Sequence, residues 1–586
     1  MTKSRKLRFA GAALLATGVS LSAHAAPTGD AAWNKLADQY FDQAYFPYQP
    51  TAGTLAGFHQ YDTQFERYDR TSIAKQTATL HTFERLVSAF PKDGLDEWTA
   101  ADRQLVLNTI QSELLTLETI KPWEKNPDYY STGISGSAFS LIERKFAPPE
   151  DRMRSLIARE RQMPAALSAA RQNLRDCPKI YTEIALEQLP GDIDFFRKDV
   201  PAAFSEVKDQ NLLAEFKGSN TAVIDALTSY ESWIKSDLLP RSNGDFRIGE
   251  DTFALKLLYD EMVTTPLDQL LKIGYADLHK NRAAFDALAH EVDPGKTAQQ
   301  VLLMLGEDHP APDQLLASFR DTFTSLIDFI HARHIVTIPS DVRPTLEETP
   351  PFERATTQAS MDTPGPFETH STTAYFNVTL PEKSWSAERI NNYMHGFNRG
   401  TIVSTSVHEA YPGHYVQFLV LPEVHSKVRK LLGASTDVEG WAHYCEQMML
   451  EQGYGQPGTG AKDAREAKLI RLGQLQDALL RDSRFIVGIQ IHTGKMTLDQ
   501  ARKFFVNEGY QSREIADVET KRGTADPTYL YYTLGKLEIL KLRADVEKKE
   551  GKDFSLQKFH DDFLRQGFPP IAVIRRAMLG NDSPAL

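Results

Sequence analysis

Two short segments carry residue types that can do metal chemistry: His408-Glu409-Ala410-Tyr411-Pro412-Gly413-His414 and Glu439-Gly440-Trp441-Ala442-His443-Tyr444-Cys445-Glu446. Two imidazoles and one carboxylate form the protein ligand set of a catalytic zinc site, which keeps a fourth position open for water. A glutamate directly after the first histidine is placed to take a proton from that water. His408 and His414 are therefore candidate ligands and Glu409 the candidate general base. For the third ligand the residues offer two carboxylates, Glu439 and Glu446, seven positions apart and so on one helical stripe.

The histidine spacing constrains the element that holds them. In the common zincin pattern the histidines are four apart, about 40° around a helix. Here they are six apart, which on an undistorted helix is about 240°. Pro412 lacks an amide hydrogen and disfavours helix through His408, and Gly413 permits unusual backbone angles. The spacing predicts a helix opened at Pro412-Gly413, with His414 swung back towards His408. Ser435-Thr436-Asp437 reads as a capped start for the helix that follows, placing Glu439 in its first turn.

The rest of the chain reads as helix after helix, with apolar residues recurring at three and four in Ala31–Gln43, Ser72–Ala89, Glu97–Leu117, Pro149–Asn173, Ser219–Leu238 and Pro266–Val292. Strand signals are few: His334–Pro339 and Thr373–Leu380, the latter rich in β-branched and aromatic types. Between them, Arg343 to Pro366 is rich in Pro and Thr and reads as loop. Tyr375-Phe376-Asn377 is a candidate edge strand beside the metal, with Tyr375 and Asn377 available to a peptide substrate through main-chain pairing.

The two motifs together, His-Glu-x-x-Pro-Gly-His and Glu-Gly-Trp-Ala-x-Tyr-x-Glu, resemble the paired signatures of the bacterial family called domain of unknown function 885. The resemblance covers most of the chain and is tightest from Ala374 to Lys536. That family is similar to the glutamate-zincin peptidases, whose helical relatives include thimet oligopeptidase and angiotensin-converting enzyme. The resemblance implies a mainly α, large two-lobed metallopeptidase fold with a deep central cleft and a small β element beside the metal. It implies zinc as cofactor, short peptides as substrates, Glu439 as third ligand and Glu446 as the partner of a ligand imidazole. His443 shares the stripe of Glu439 where the family usually has an apolar residue, and is a further supporting group. The late Tyr-x-x-Gly segment maps onto Tyr532-Thr533-Leu534-Gly535, which makes Tyr532 the candidate donor to an oxyanion. A helix ending in histidine maps onto Arg484 to His492 and makes His492 a candidate for binding the substrate carbonyl. Gly488 stands where the family usually has Asp.

Composition sets outer bounds. The 586 residues are 41% hydrophobic and 25% charged, as in a soluble globular protein. With 66 basic against 78 acidic residues the formal charge is -12 and no basic block occurs, which argues against a nucleic-acid partner. Lys3, Arg5, Lys6 and Arg8, the apolar run Phe9 to Leu21, and Ala23-His24-Ala25 form a signal-peptide pattern. Its removal takes four positive charges and shifts the net charge from -12 to -16. No cysteine follows the apolar run, which argues against a lipid anchor there. No later run is long and apolar enough to span a membrane. The expectation is a periplasmic or secreted protein, residues 1–25 as leader and 26–586 as one helical catalytic domain, a monomer or weak dimer. Cys177 and Cys445, the only cysteines, are expected as unpaired buried thiols. The function expected is a zinc-dependent peptidase. The alternative is a catalytically idle helical peptide-binding protein that keeps a metal site.

Overall fold

Apolar spacing of three and four builds helices along most of the described chain, apart from the stretch 334–386. The computed structural model describes residues 28–350, 354 and 357–586, so the expected leader lies outside the described residues. Among the described residues the fold is mainly helical, with one three-stranded and one two-stranded sheet of short strands. None of the described helices is long and apolar enough to cross a membrane. Both cysteines are free and buried.

Most expected helices form within a few residues of their expected bounds, such as Asp30–Tyr40, Arg70–Ala89 and Leu267–Val292. The run from Pro149 to Asn173 is instead two helices, Pro149–Glu160 and Met163–Asn173. Pro164 sits in the first turn of the second, where a missing N–H is tolerated, and would interrupt a continuous helix.

The helices that carry or flank the two motifs are α1 (Glu97–Leu115), α2 (Asp128–Ile142), α3 (Arg399–Glu409), α4 (His414–Val420), α5 (Ser435–Glu451), α6 (Ala464–His492), α7 (Arg513–Ala525) and α8 (Tyr531–Glu550). Trp441, Tyr444, Tyr411, Val407 and Phe376 belong to one hydrophobic cluster, whose residues all come from Leu315 onward. Another cluster is drawn wholly from residues between Phe65 and Leu238. Helices α5 and α8 meet through glycines: a Cβ on Gly440 would stand 2.6 Å from Gly535 Cα, and one on Gly535 would stand 1.9 Å from Thr436 O. Only two residues without side chains allow this approach, and it brings Glu439 to Tyr532.

The sheet corrects two expectations. Strands β1 (Thr345–Glu348), β2 (Ala359–Asp362) and β3 (Tyr375–Val378) lie in the order β1-β3-β2, with β3 parallel to β1 and antiparallel to β2. The stretch expected as loop thus supplies two strands, and Tyr375–Val378 is the centre of the sheet rather than an edge. The main-chain groups of Tyr375 and Asn377 are flanked on both sides, and Asn377 is buried. The strand expected at His334–Pro339 does not form. Ile335 and Val336 are buried in the core as irregular chain, with Ile335 O accepting from His560 Nδ1 at 2.7 Å.

Candidate metal centre

Helix α3 stops at Glu409 and α4 starts at His414, so the chain is broken between them. Tyr411 N–H turns back to Ser406 O at 3.1 Å and Gly413 N–H to Val407 O at 3.0 Å. A Cβ on Gly413 would lie 1.8 Å from His408 O, so no other residue fits this turn. Pro412 O accepts from the buried indole of Trp441 at 3.0 Å, which fastens the break to α5. This turn places the His414 ring perpendicular to that of His408, with centroids 4.9 Å apart.

Helix α5 starts at Ser435, but no side chain of Ser435, Thr436 or Asp437 caps it. The cap comes from a distant carboxylate. Glu261 accepts from Ser435 N at 3.1 Å, and from Thr436 N and Oγ1 at 2.9 and 2.6 Å. Glu439 follows one turn on. His408 Nε2 and His414 Nε2 each lie 3.3 Å from the same Glu439 Oε2, without the geometry of a hydrogen bond. One ligand atom from each residue falls within 4.8 Å of the others. Ligand atoms at 2.0–2.1 Å from a tetrahedral zinc stand about 3.3 Å apart, so the donor set and its spacing fit that ion. The buried Glu439 Oε2 and His414 Nδ1 have no hydrogen-bond partner among the described residues.

Glu446 lies behind this set. It accepts from His408 Nδ1 at 2.7 Å, His443 Nδ1 at 3.2 Å and Ser404 Oγ at 3.3 Å, and pairs with Arg481 at 3.3 Å. With Nδ1 bonded to Glu446, Nε2 is the nitrogen of His408 that faces Glu439, and it would offer its lone pair to a metal by giving up its proton. Burial opposes charge on His408, but Glu439 and Glu446 outweigh it and push its pKa up to about 9. Burial likewise opposes charge on Glu439, and the two imidazoles hold it well below the usual carboxylate range. His443 is driven down to about 3 by burial and stays neutral. Glu409 is buried with Oε2 unpartnered, and burial raises its pKa, which makes it a stronger base when ionised.

Tyr532 joins the cluster from α8. Its hydroxyl donates to Glu439 Oε1 at 3.1 Å and accepts from Arg522 at 3.1 Å. The guanidiniums of Arg484, Arg481 and Arg522 stand 4.8, 5.7 and 5.8 Å from its ring centre. Arg484 is itself held by both oxygens of Glu519, at 2.6 and 2.7 Å. Arg481 and Ser404 are contacts that sequence reasoning missed. Asp477, Arg481 and Arg484 do form an i, i+4, i+7 stripe on α6, which was the available signal.

His492 is not brought to the centre. It lies about 16 Å along α6 from Arg481, with Nε2 on Gly523 O at 2.8 Å, and burial lowers its pKa to about 4. Gly488, about one turn before it on α6, makes room for Tyr529, whose ring a Cβ would meet at 2.9 Å. Tyr375 and Asn377 sit in β3 as described. Two cavities border helices that carry the centre, though His408, Glu409, His414, Glu439 and Tyr532 line neither. One of about 860 Å³ is lined by Ser435 and Tyr531, and one of about 480 Å³ by Asp477, Leu480 and Leu303.

The family described as "Bacterial protein of unknown function (DUF885)" matches residues 50–578. No curated protein matches the chain. Among solved structures, a candidate lipoprotein of unknown function from Shewanella oneidensis is 27% identical, with a TM-score of 0.75 over 94% of this chain and 100% of its own. A candidate lipoprotein from Colwellia psychrerythraea, 18% identical, has a TM-score of 0.76 over 93% of this chain and 98% of its own, and shares the fold.

Proposed function

The chain belongs to the DUF885 family, and on that premise we propose that it is a zinc-dependent peptidase of the glutamate-zincin type acting on short peptides. The observation that carries this reading is the pair of imidazole nitrogens at 3.3 Å from one Glu439 oxygen, with Glu409 Oε2, unpartnered among the described residues, next to His408. Two histidines and one carboxylate leave one position of a tetrahedral ion for water, whereas structural zinc is usually closed by four protein ligands. Zinc at this site would supply Lewis acidity and lower the pKa of a water there. In this reading His408, His414 and Glu439 hold the ion, and Glu446 fixes the ring orientation of His408. Glu409 takes the proton of the attacking water and passes it to the leaving amine. The Tyr532 hydroxyl is kept protonated by burial. It leaves Glu439 Oε1 and donates to the oxygen that gains charge when the carbonyl is attacked. Arg522 holds that hydroxyl in place.

A peptide would pair with the open edge of β2, because β3 is flanked on both sides and β2 packs against α3. The larger cavity is lined by early residues such as Tyr48 and Ser137 and by late ones such as Ser435 and Tyr531, which supports a two-lobed cleft. The basic and apolar start of the chain supports export, as do relatives described as candidate lipoproteins.

The test is metal analysis of the purified protein beside hydrolysis of a mixed peptide library, with Glu409→Gln in parallel. Wild type should hold one zinc per chain and cleave. The variant should keep its zinc and lose roughly 100-fold or more in turnover, the worth of a positioned base. Unchanged turnover in the variant, or a wild type that neither binds zinc nor cleaves, would end this reading.

A further inference from the structure

The larger cavity, about 860 Å³, lies within the size range of ligand sites. Ser435 in its wall starts α5 one turn before Glu439, about 6 Å along the axis. Tyr531 in its wall packs against Tyr532, ring centres 5.0 Å apart. Tyr48, Tyr68, Tyr129 and Trp123 add aromatic surface. The acidic residues in the wall differ in how far they are already engaged. Asp260 pairs with Lys256 at 2.6 Å, Asp526 accepts from Tyr531 at 2.7 Å, and Glu261 caps α5. Glu66 accepts from Thr51 N and Oγ1, both at 3.0 Å. Glu113 is different: one oxygen accepts from Gln49, and the other is buried with no hydrogen-bond partner among the described residues. Arg67 is the only other basic group in the wall besides Lys256.

The floor carries a second, independent sign. Gly133 and Gly136 lie one turn apart on α2 and both line the cavity. Gly133 has a packing reason, since a Cβ there would meet Tyr68 Oη at 2.5 Å. Gly136 has none: a Cβ there would meet nothing within 4 Å. A mid-helix glycine is unfavourable relative to alanine, and here it leaves the floor bare where a side chain would fit without a clash.

We propose that this cavity binds a cationic group of the peptide substrate, an ammonium or guanidinium, between Glu113 and the tyrosine faces. Aromatic faces and a carboxylate with one oxygen unpartnered among the described residues are the surfaces that attract such a cation. Gly136 keeps the space it enters. The same chemistry comes from a free N-terminal amine or from a Lys or Arg side chain. The inference rests on the peptidase reading for the word substrate, but its binding test does not.

The test measures binding to zinc-loaded Glu409→Gln protein by calorimetry. Four forms of one short peptide are used: free or acetylated at the N-terminus, each with Lys or norleucine at one position. At least one cationic form should bind about 10-fold or more tighter than the acetylated norleucine form. Comparing the two singly charged forms tells amine from side chain. Glu113→Gln should reduce the preference to less than about 2-fold, the rest of the wall being unchanged. Gly136→Leu, which fills the floor and favours helix, should do the same if the Glu113 variant folds poorly. Equal binding of all four forms, or a preference unchanged in Gly136→Leu, would overturn the inference. Cationic preference without hydrolysis by wild type would sink the peptidase reading and leave this site standing. Hydrolysis without cationic preference would do the reverse.

Discussion

Glu446 shows how much of the candidate site depends on one residue that stands behind the His408, His414 and Glu439 donors. Four side chains from three helices converge on its two oxygens: His408 and Ser404 from α3, His443 from α5 and Arg481 from α6. The carboxylate holds the His408 Nδ1 proton, so Nε2 is the nitrogen directed at Glu439 and the one that would bind a metal on losing its proton. Glutamine has the same shape, but its one oxygen is a weaker acceptor and its amide nitrogen would face a donor. Glu446→Gln should therefore hold zinc 10–100-fold more weakly, read by competition with a chelator. Unchanged affinity would mean that α3 alone fixes the ring. The sequence made this partner legible because Glu439 and Glu446 share a stripe, yet on spacing alone the two carboxylates were interchangeable. Their separation depends on where α3 lies, which no local pattern encodes. The stripe on α6 pointed to Arg481, but its contact with Glu446 was hidden for the same reason, since it comes from a helix that starts only after α5 has ended.

At the scale of elements, the break between α3 and α4 is the device that brings the rings of His408 and His414 together despite their spacing. The six-residue interval with Pro412 and Gly413 was enough to expect it, since a continuous helix would point the rings apart. What holds the break open lies elsewhere, in the Trp441 indole on Pro412 O and in the absent Cβ of Gly413. Gly413→Ala puts a methyl 1.8 Å from His408 O, so the turn must open and carry His414 away. The expected result is loss of stoichiometric zinc with helical circular dichroism retained. Full zinc occupancy in that variant would show that the ligands tolerate another backbone path. Local signals misled where the partner was distant. Ser435-Thr436-Asp437 looked like its own cap, but the N–H groups are taken by Glu261 from far upstream. β1 and β2 are four residues each inside a Pro- and Thr-rich stretch, too short for alternation to show, and their pairing with β3 is what makes them strands.

Over the whole molecule, several carboxyl groups are buried without a cation, and this sets how stability should vary with pH. Glu160 and Asp192 are each pushed up to about 8, first by burial, and each bonds one serine hydroxyl while its other oxygen has no partner among the described residues. In the unfolded chain both titrate near 4. Between about pH 4 and 8 the folded state therefore holds protons that the unfolded state has released, and stability falls as pH rises through that window. Buried histidines act oppositely. His560 is driven down to about 3 and His492 to about 4, so both stay neutral when folded while the unfolded chain protonates them below about 6.5. Their contribution is present above about pH 6.5 and is lost as pH falls towards the folded values. The two effects oppose each other below pH 6.5, and above it only the acids act. From pH 6.5 to 8 each of the two acids should take away up to about 2 kcal/mol, at 1.36 kcal/mol per pH unit. The melting temperature of zinc-loaded protein should fall steadily over that range. Glu160→Gln and Asp192→Asn should each flatten the slope, because an amide mimics the protonated carboxyl and cannot ionise. A melting temperature that rises from pH 6.5 to 8, or variants with the wild-type slope, would show that these two groups ionise within the fold.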